Sequence, residues 1–88
     1  MTRVEKTTYN VRAMKIGGVN MVIIKTDEYA HSLKPEFIRR VVIEGRVRTR
    51  NGYEYKLHEY GNTGNYFITR KEPLTNDEKI ICHIEVRK

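Results

Sequence analysis

Hydrophobic and polar positions alternate along most of this chain, and the alternation breaks in one central stretch. Thr8 to Ile16 and Val19 to Lys25 both read as strands, with the period of two that a pleated surface imposes. Gly17-Gly18 between them suits the positive φ values of a two-residue hairpin turn. That turn aligns Ile16 with Val19, Met14 with Met21 and Ala13 with Val22. One hairpin face then carries Tyr9, Val11, Ala13, Val22 and Ile24. The other carries Met14, Ile16, Val19, Met21 and Ile23. Both faces are apolar toward the tip, and a one-layer sheet buries only one, so the second needs a cover.

Thr26 to Arg39 interrupts the strand pattern. Thr26 or Asp27 suits a helix cap, and Tyr29 and Leu33 lie four apart on one side, which predicts a short helix from Asp27 to Leu33. Pro35 ends it or opens another short turn carrying Phe37. Two further strands are expected at Ile38 to Thr49 and Tyr53 to Tyr60, joined around Arg50-Asn51-Gly52.

Two registers compete for that hairpin. A two-residue Asn51-Gly52 turn pairs Arg48 with Tyr55 and interleaves arginine with tyrosine, a surface suited to stacked bases. A three-residue loop with a glycine bulge pairs Thr49 with Tyr53 and Val47 with Tyr55. The second gathers Val41, Ile43, Val47, Tyr53, Tyr55 and Leu57 on one face and Arg46, Arg48, Glu54, Lys56 and His58 on the other, with Arg48 opposite Glu54. A slip of one residue on one strand would split the core set, and burial specifies register strongly. The three-residue loop is therefore the expected one, and it turns the tyrosines inward.

Gly61 to Asn65 is rich in turn formers, Tyr66 to Arg70 is a short strand, and Lys71 to Asn76 is a loop containing Pro73. Thr75 to Glu78 has capping-box spacing and is expected to hold one helical turn. Lys79 to Arg87 closes the chain as a half-buried strand. Its alternation sends Ile80, Cys82, Ile84 and Val86 one way and Lys79, His83, Glu85 and Arg87 the other. The expected fold is mainly β, bordering on α+β: an antiparallel meander of about six strands, able to curl into a small open barrel, with one short helical segment between strands 2 and 3. Residues 1–88 are read as one small domain, with residues 1–7 frayed.

Composition supports that reading. Nine isoleucines and eight valines stand against three leucines and two alanines, and β-branched side chains favour pleated surfaces over helices. The formal net charge is +6, which steers a chain toward polyanions. The single cysteine, Cys82, excludes an internal disulfide and points to a reducing, cytoplasmic setting. No apolar run reaches the roughly 20 residues that cross a bilayer, and the polar start has no apolar signal-peptide core, so no membrane partner is expected.

Candidate chemistry is sparse. The three histidines, His31, His58 and His83, have no metal-ligand spacing, so neither metal nor cofactor is expected. Cys82 reads as a core thiol, and Ser32, the one serine, as a cap or turn residue. A small ribonuclease would need a base, an acid and cations for the phosphate, an inventory that His58, Glu44, Glu54, Arg46 and Arg48 meet on paper. Solvated cross-strand charges give the same pattern without catalysis, so a non-catalytic role is the expectation.

The basic hairpin is the strongest surface signal. Residues 39–58 hold five arginines and one lysine against two glutamates. Arg40, Arg46 and Arg48 share parity on one expected strand, where alternate side chains repeat at ~6.6 Å, near the spacing of backbone phosphates. Arg40, Arg46, Arg48, Arg50 and Lys56 are therefore the candidate contacts for nucleic acid or another polyanion. The alternative is a protein-binding module, an inhibitor, adaptor, subunit or homodimer, whose seam would be Met14, Ile16, Val19, Met21 and Ile23.

Overall fold

The computed structural model describes residues 11–25 and 33–87. In chain order these form β1 (Val11–Ile16), β2 (Val19–Lys25), α1 (Pro35–Glu44), β3 (Arg46–Arg48), β4 (Glu54–Glu59), β5 (Tyr66–Lys71) and β6 (Glu78–Arg87). The six strands make one antiparallel sheet in the order β1-β2-β6-β5-β4-β3. A hairpin and a four-stranded meander thus meet where β6 pairs with β2. Both expected hairpin registers hold. Ile16 pairs with Val19 and Met14 with Met21; Val47 pairs with Tyr55 and Arg48 with Glu54. The Thr49 amide donates to the Tyr53 carbonyl at 2.9 Å, closing the three-residue loop.

The helix is a correction to the sequence reading. Ile38 to Glu44, expected as the start of a strand, is most of α1 instead. The run Val41-Val42-Ile43 favours strand locally, but packing of an apolar stripe overrides such propensities. Ile38 and Val41 are buried three residues apart, Phe37 and Val42 pack beside them, and Ile43 points to solvent at 64% exposure. The helix starts at Pro35, where a missing N–H is harmless, and stops at Gly45, whose N–H bonds back to the Val41 carbonyl. Strand β3 shrinks to three residues in consequence. The helix expected at Asp27–Leu33, apart from Leu33 itself, and the fraying expected at residues 1–7 lie outside the described residues.

Helix α1 touches β3 and β4 at one end of the sheet and β1 at the other. The sheet must therefore curl around it, giving a half-barrel with the helix along its concave side. The Arg39 guanidinium spans the gap, donating to the Lys15 carbonyl at 3.0 Å. Ile38 and Val41 of the helix share a core with Ile23, Val47, Tyr55, Ile68 and Ile84 of the strands. Phe37 meets Tyr55 edge-on at 4.9 Å. Arg70 also faces inward and is 3% exposed, its guanidinium over the Tyr53 ring and 3.8 Å from Glu72.

Two local departures mark the end of the chain. The β5–β6 ladder skips a residue, pairing Ile68 with Cys82 but Thr69 with Ile80. Ile81 is the extra residue of this bulge and is fully buried, whereas Ile80 turns outward and is 40% exposed. Strict alternation had placed Ile80 in the core. The helical turn expected over Thr75–Glu78 is absent: Thr75 Oγ1 accepts the Asp77 amide in a local turn, and Glu78 already begins β6.

Candidate nucleic-acid interface

The convex face of the sheet, turned away from α1, carries the basic cluster. Val47 points into the core, so its neighbours Arg46 and Arg48 point the other way, as strand geometry requires. Their side chains are 67% and 73% exposed. Both reach toward one carboxylate, Glu54 Oε2, from Arg46 Nε at 3.5 Å and Arg48 Nη2 at 3.9 Å. One carboxylate between two guanidiniums leaves a positive excess, which Lys56, opposite Arg46 in register, increases. Arg50 is exposed at the tip of the β3–β4 loop.

Arg40 does not join them. The expected strand is helix there, so Arg40 stands on α1, on the other side of the sheet, in an i,i+4 pair with Glu44 at 3.0 Å. A pocket of about 190 Å³ lies between the β3–β4 and β5–β6 loops, with Arg48 and Lys71 among the residues that line it.

The hairpin face offered as a protein seam is mostly interior. Ile16 and Ile23 are buried at 3% and 0%, and Met14 and Met21 pack against the core. Val19 alone of the five is exposed. The cover this face required is the concave interior of the sheet itself.

The sequence reading missed a second group on the convex face. His58, Phe67 and His83 are aligned across β4, β5 and β6. The rings form a row: His58 stacks on Phe67 at 4.9 Å, Phe67 meets Tyr60 at 4.6 Å, and Tyr60 stacks on His83 at 5.8 Å. The Tyr60 hydroxyl and His83 Nδ1 are 2.8 Å apart. Thr69 Oγ1 donates to Glu78 Oε2 at 2.6 Å and lies 3.0 Å from His58 Nε2. A hydroxyl has one proton to give. With that proton directed at Glu78, the hydrogen bond between His58 Nε2 and Thr69 is donated by His58. The Thr69 hydrogen bond holds the Glu78 carboxyl below the usual glutamate range. Lys56, His58 and Lys71 add to this, while burial opposes it. Strand alternation in residues 56–58 and 67–71 and the meander order of these strands were visible in sequence; the bulge that shifts the β5–β6 register was not.

Among the described residues no group of three or more His, Cys, Asp or Glu side chains could hold a metal ion. None of the described helices is long and apolar enough to cross a membrane. Cys82 is a buried free thiol. No family model matches the chain, and neither the curated proteins nor the solved structures contain a match.

Proposed function

We propose that this chain binds nucleic acid on the convex face of its sheet, with Arg46, Arg48 and Lys56 contacting phosphates and Arg50 adding a contact from the loop tip. The observation that carries this reading is the registration of Arg46, Arg48 and Lys56 on one open surface around the single Glu54 carboxylate. Guanidinium groups grip phosphate through two parallel hydrogen bonds, and the Arg46 and Arg48 side chains are 67% and 73% exposed although their shared partner Glu54 is buried. The same face carries the ring row, and aromatic rings beside a cationic track favour unpaired strands, whose bases are free to stack. Phosphate contacts of this kind give affinity with little sequence preference.

The competing protein-partner reading needs an apolar seam at the hairpin, where Ile16 and Ile23 are buried, Met14 and Met21 are half-buried and Val19 is exposed. Fluorescence anisotropy with a labelled single-stranded oligonucleotide tests the proposal. Binding should be measurable at about 50 mM salt and weaken linearly in log–log form as salt rises. No binding at that salt rejects it.

A further inference from the structure

We propose that the polar pocket between the β3–β4 and β5–β6 loops receives one base of a bound single strand and selects guanine, with the Glu72 carboxylate as the selecting group. The inference rests on the nucleic-acid reading of the convex face and adds a base contact to it, where phosphate contacts alone give little sequence preference.

Strand register builds the pocket. Arg48 pairs with Glu54, and Glu54 with Lys71, so the three side chains form one row across the convex face. The row ends at the two loops, and the pocket opens there. Arg48 belongs both to the phosphate-binding face and to the pocket wall, so a strand gripped by Arg48 has a base beside the opening. Gly52 and Pro73 make the loop side of the wall. A Cβ at position 52 would meet Pro73 Cβ at 3.0 Å, and the bare glycine keeps that side open. The cavity holds about 190 Å³. That is several times the ~30 Å³ share of one water and below the ~300 Å³ of a drug-sized site, the scale of a single heterocycle.

The walls suit a base better than a phosphate. Two cations, Arg48 and Lys71, stand with two carboxylates, Glu54 and Glu72, so their formal charges cancel. The backbone donors at the loops are spent: the Gly52 N–H bonds to the Thr49 carbonyl and the Asn76 N–H to the Glu72 carbonyl, each at 3.0 Å. A neutral planar group with both donors and acceptors fits this mixture. Glu54 is buried and shared by Arg46 and Arg48. Glu72 is the accessible carboxylate: its side chain is 40% exposed, and Arg70 Nη2 stands 3.8 Å away, which leaves room for a shorter hydrogen bond. An ionised carboxylate only accepts. Guanine alone among the bases places two adjacent donors, N1–H and the N2 amino group, on its Watson–Crick edge, and these match the two oxygens of one carboxylate. Adenine and cytosine offer one amino group on that edge and thymine one ring N–H. The guanine O6 and N7 are acceptors for a basic side chain, the role that falls to Lys71.

Fluorescence anisotropy at about 50 mM salt tests the inference with short labelled single-stranded DNA, thymine throughout or with one central guanine, adenine, cytosine or hypoxanthine. The full chain should bind the guanine strand about tenfold more tightly than the thymine strand, the scale of one good bidentate pair. Hypoxanthine lacks the N2 amino group and should lose most of that gain, a comparison that needs no variant. Glu72→Gln should bring the guanine and thymine strands to equal affinity while the thymine strand still binds, which also shows that the variant folds. Equal binding of all strands by the unaltered chain overturns the inference and leaves the nucleic-acid reading standing. A guanine preference that survives Glu72→Gln, or that hypoxanthine matches, also overturns it. Absence of binding to every strand at this salt removes both proposals together.

Discussion

The concave and convex faces of this sheet are built from the same strands and alternate residue by residue, yet they follow different physics. Toward α1 stand Ile23, Ile68 and Ile84, all at or below 1% exposure, held by area removed from water. Away from it stand Arg46, Arg48, Lys56, His58 and Glu78, joined by ion pairs and hydrogen bonds that water weakens. The difference teaches that burial fixes which residues face outward. What those residues then form depends on which strands lie side by side.

The sharpest way to break the comparison lies at the β6 bulge, where two isoleucines are adjacent in sequence and on opposite faces. Ile81→Ala should cost about 2–5 kcal/mol, because it opens a cavity in a close-packed interior. Ile80→Ala should cost only about 0.5–1 kcal/mol. Denaturant midpoints decide it, and a larger loss at Ile80 than at Ile81 would mean that β6 alternates without a bulge.

The register that separates the faces at β3–β4 depends on the loop, and Gly52→Ala probes it. Gly52 sits at φ +89°, where a Cβ would also meet Pro73 Cβ at 3.0 Å. A left-handed backbone costs a side-chain-bearing residue about 1–2 kcal/mol, and a thermal melt should show at least that loss. A melt unchanged from the parent chain would place the loop in another conformation.

Changes on the convex face should move function and leave the fold alone. Arg46→Gln with Arg48→Gln should flatten the salt dependence of nucleic-acid binding by roughly 0.7–0.9 per lost contact. The same pair should alter stability by only about 0.5 kcal/mol per site. Arg40→Gln, on the helix side, should leave the salt slope where it was. A drop in slope for Arg40 equal to that for Arg46 would move the binding surface onto α1.

The smallest effect belongs to Glu78. Its carboxyl is held below the ordinary value of 4.5 by Thr69 first, with Lys56, His58 and Lys71 adding to the effect and burial opposing it. A carboxylate with a lowered folded pKa contributes stability above its unfolded value and loses it as pH falls through the folded one. The stability gap between the parent chain and Glu78→Gln should therefore be full near neutral pH and shrink once pH passes below about 4.5. A gap that stays constant into acid would show that the carboxylate gains nothing from its neighbours.

Alternation and turn chemistry alone determined the mainly β class, the Gly17-Gly18 hairpin and the Val47–Tyr55 register, because each is a local rule that burial enforces. The stretch from Ile38 reads as strand in sequence because the β-branched run Val41-Val42-Ile43 favours one, although it is helix in the fold. The conflict is resolved only where Ile38 and Val41 meet Val47 and Tyr55. That packing moved Arg40 off the basic face. The candidate site was half legible: Arg46, Arg48 and Lys56 follow from one hairpin, which neighbours in sequence specify. His58, Phe67 and His83 come from three strands, and the residue that lets Thr69 reach Glu78 is an unpaired Ile81 in a bulge. Sequence period says which way a side chain points along its own strand. Strand order, curvature and the one-residue bulge come from closing the sheet around the helix, a long-range condition that no local pattern contains.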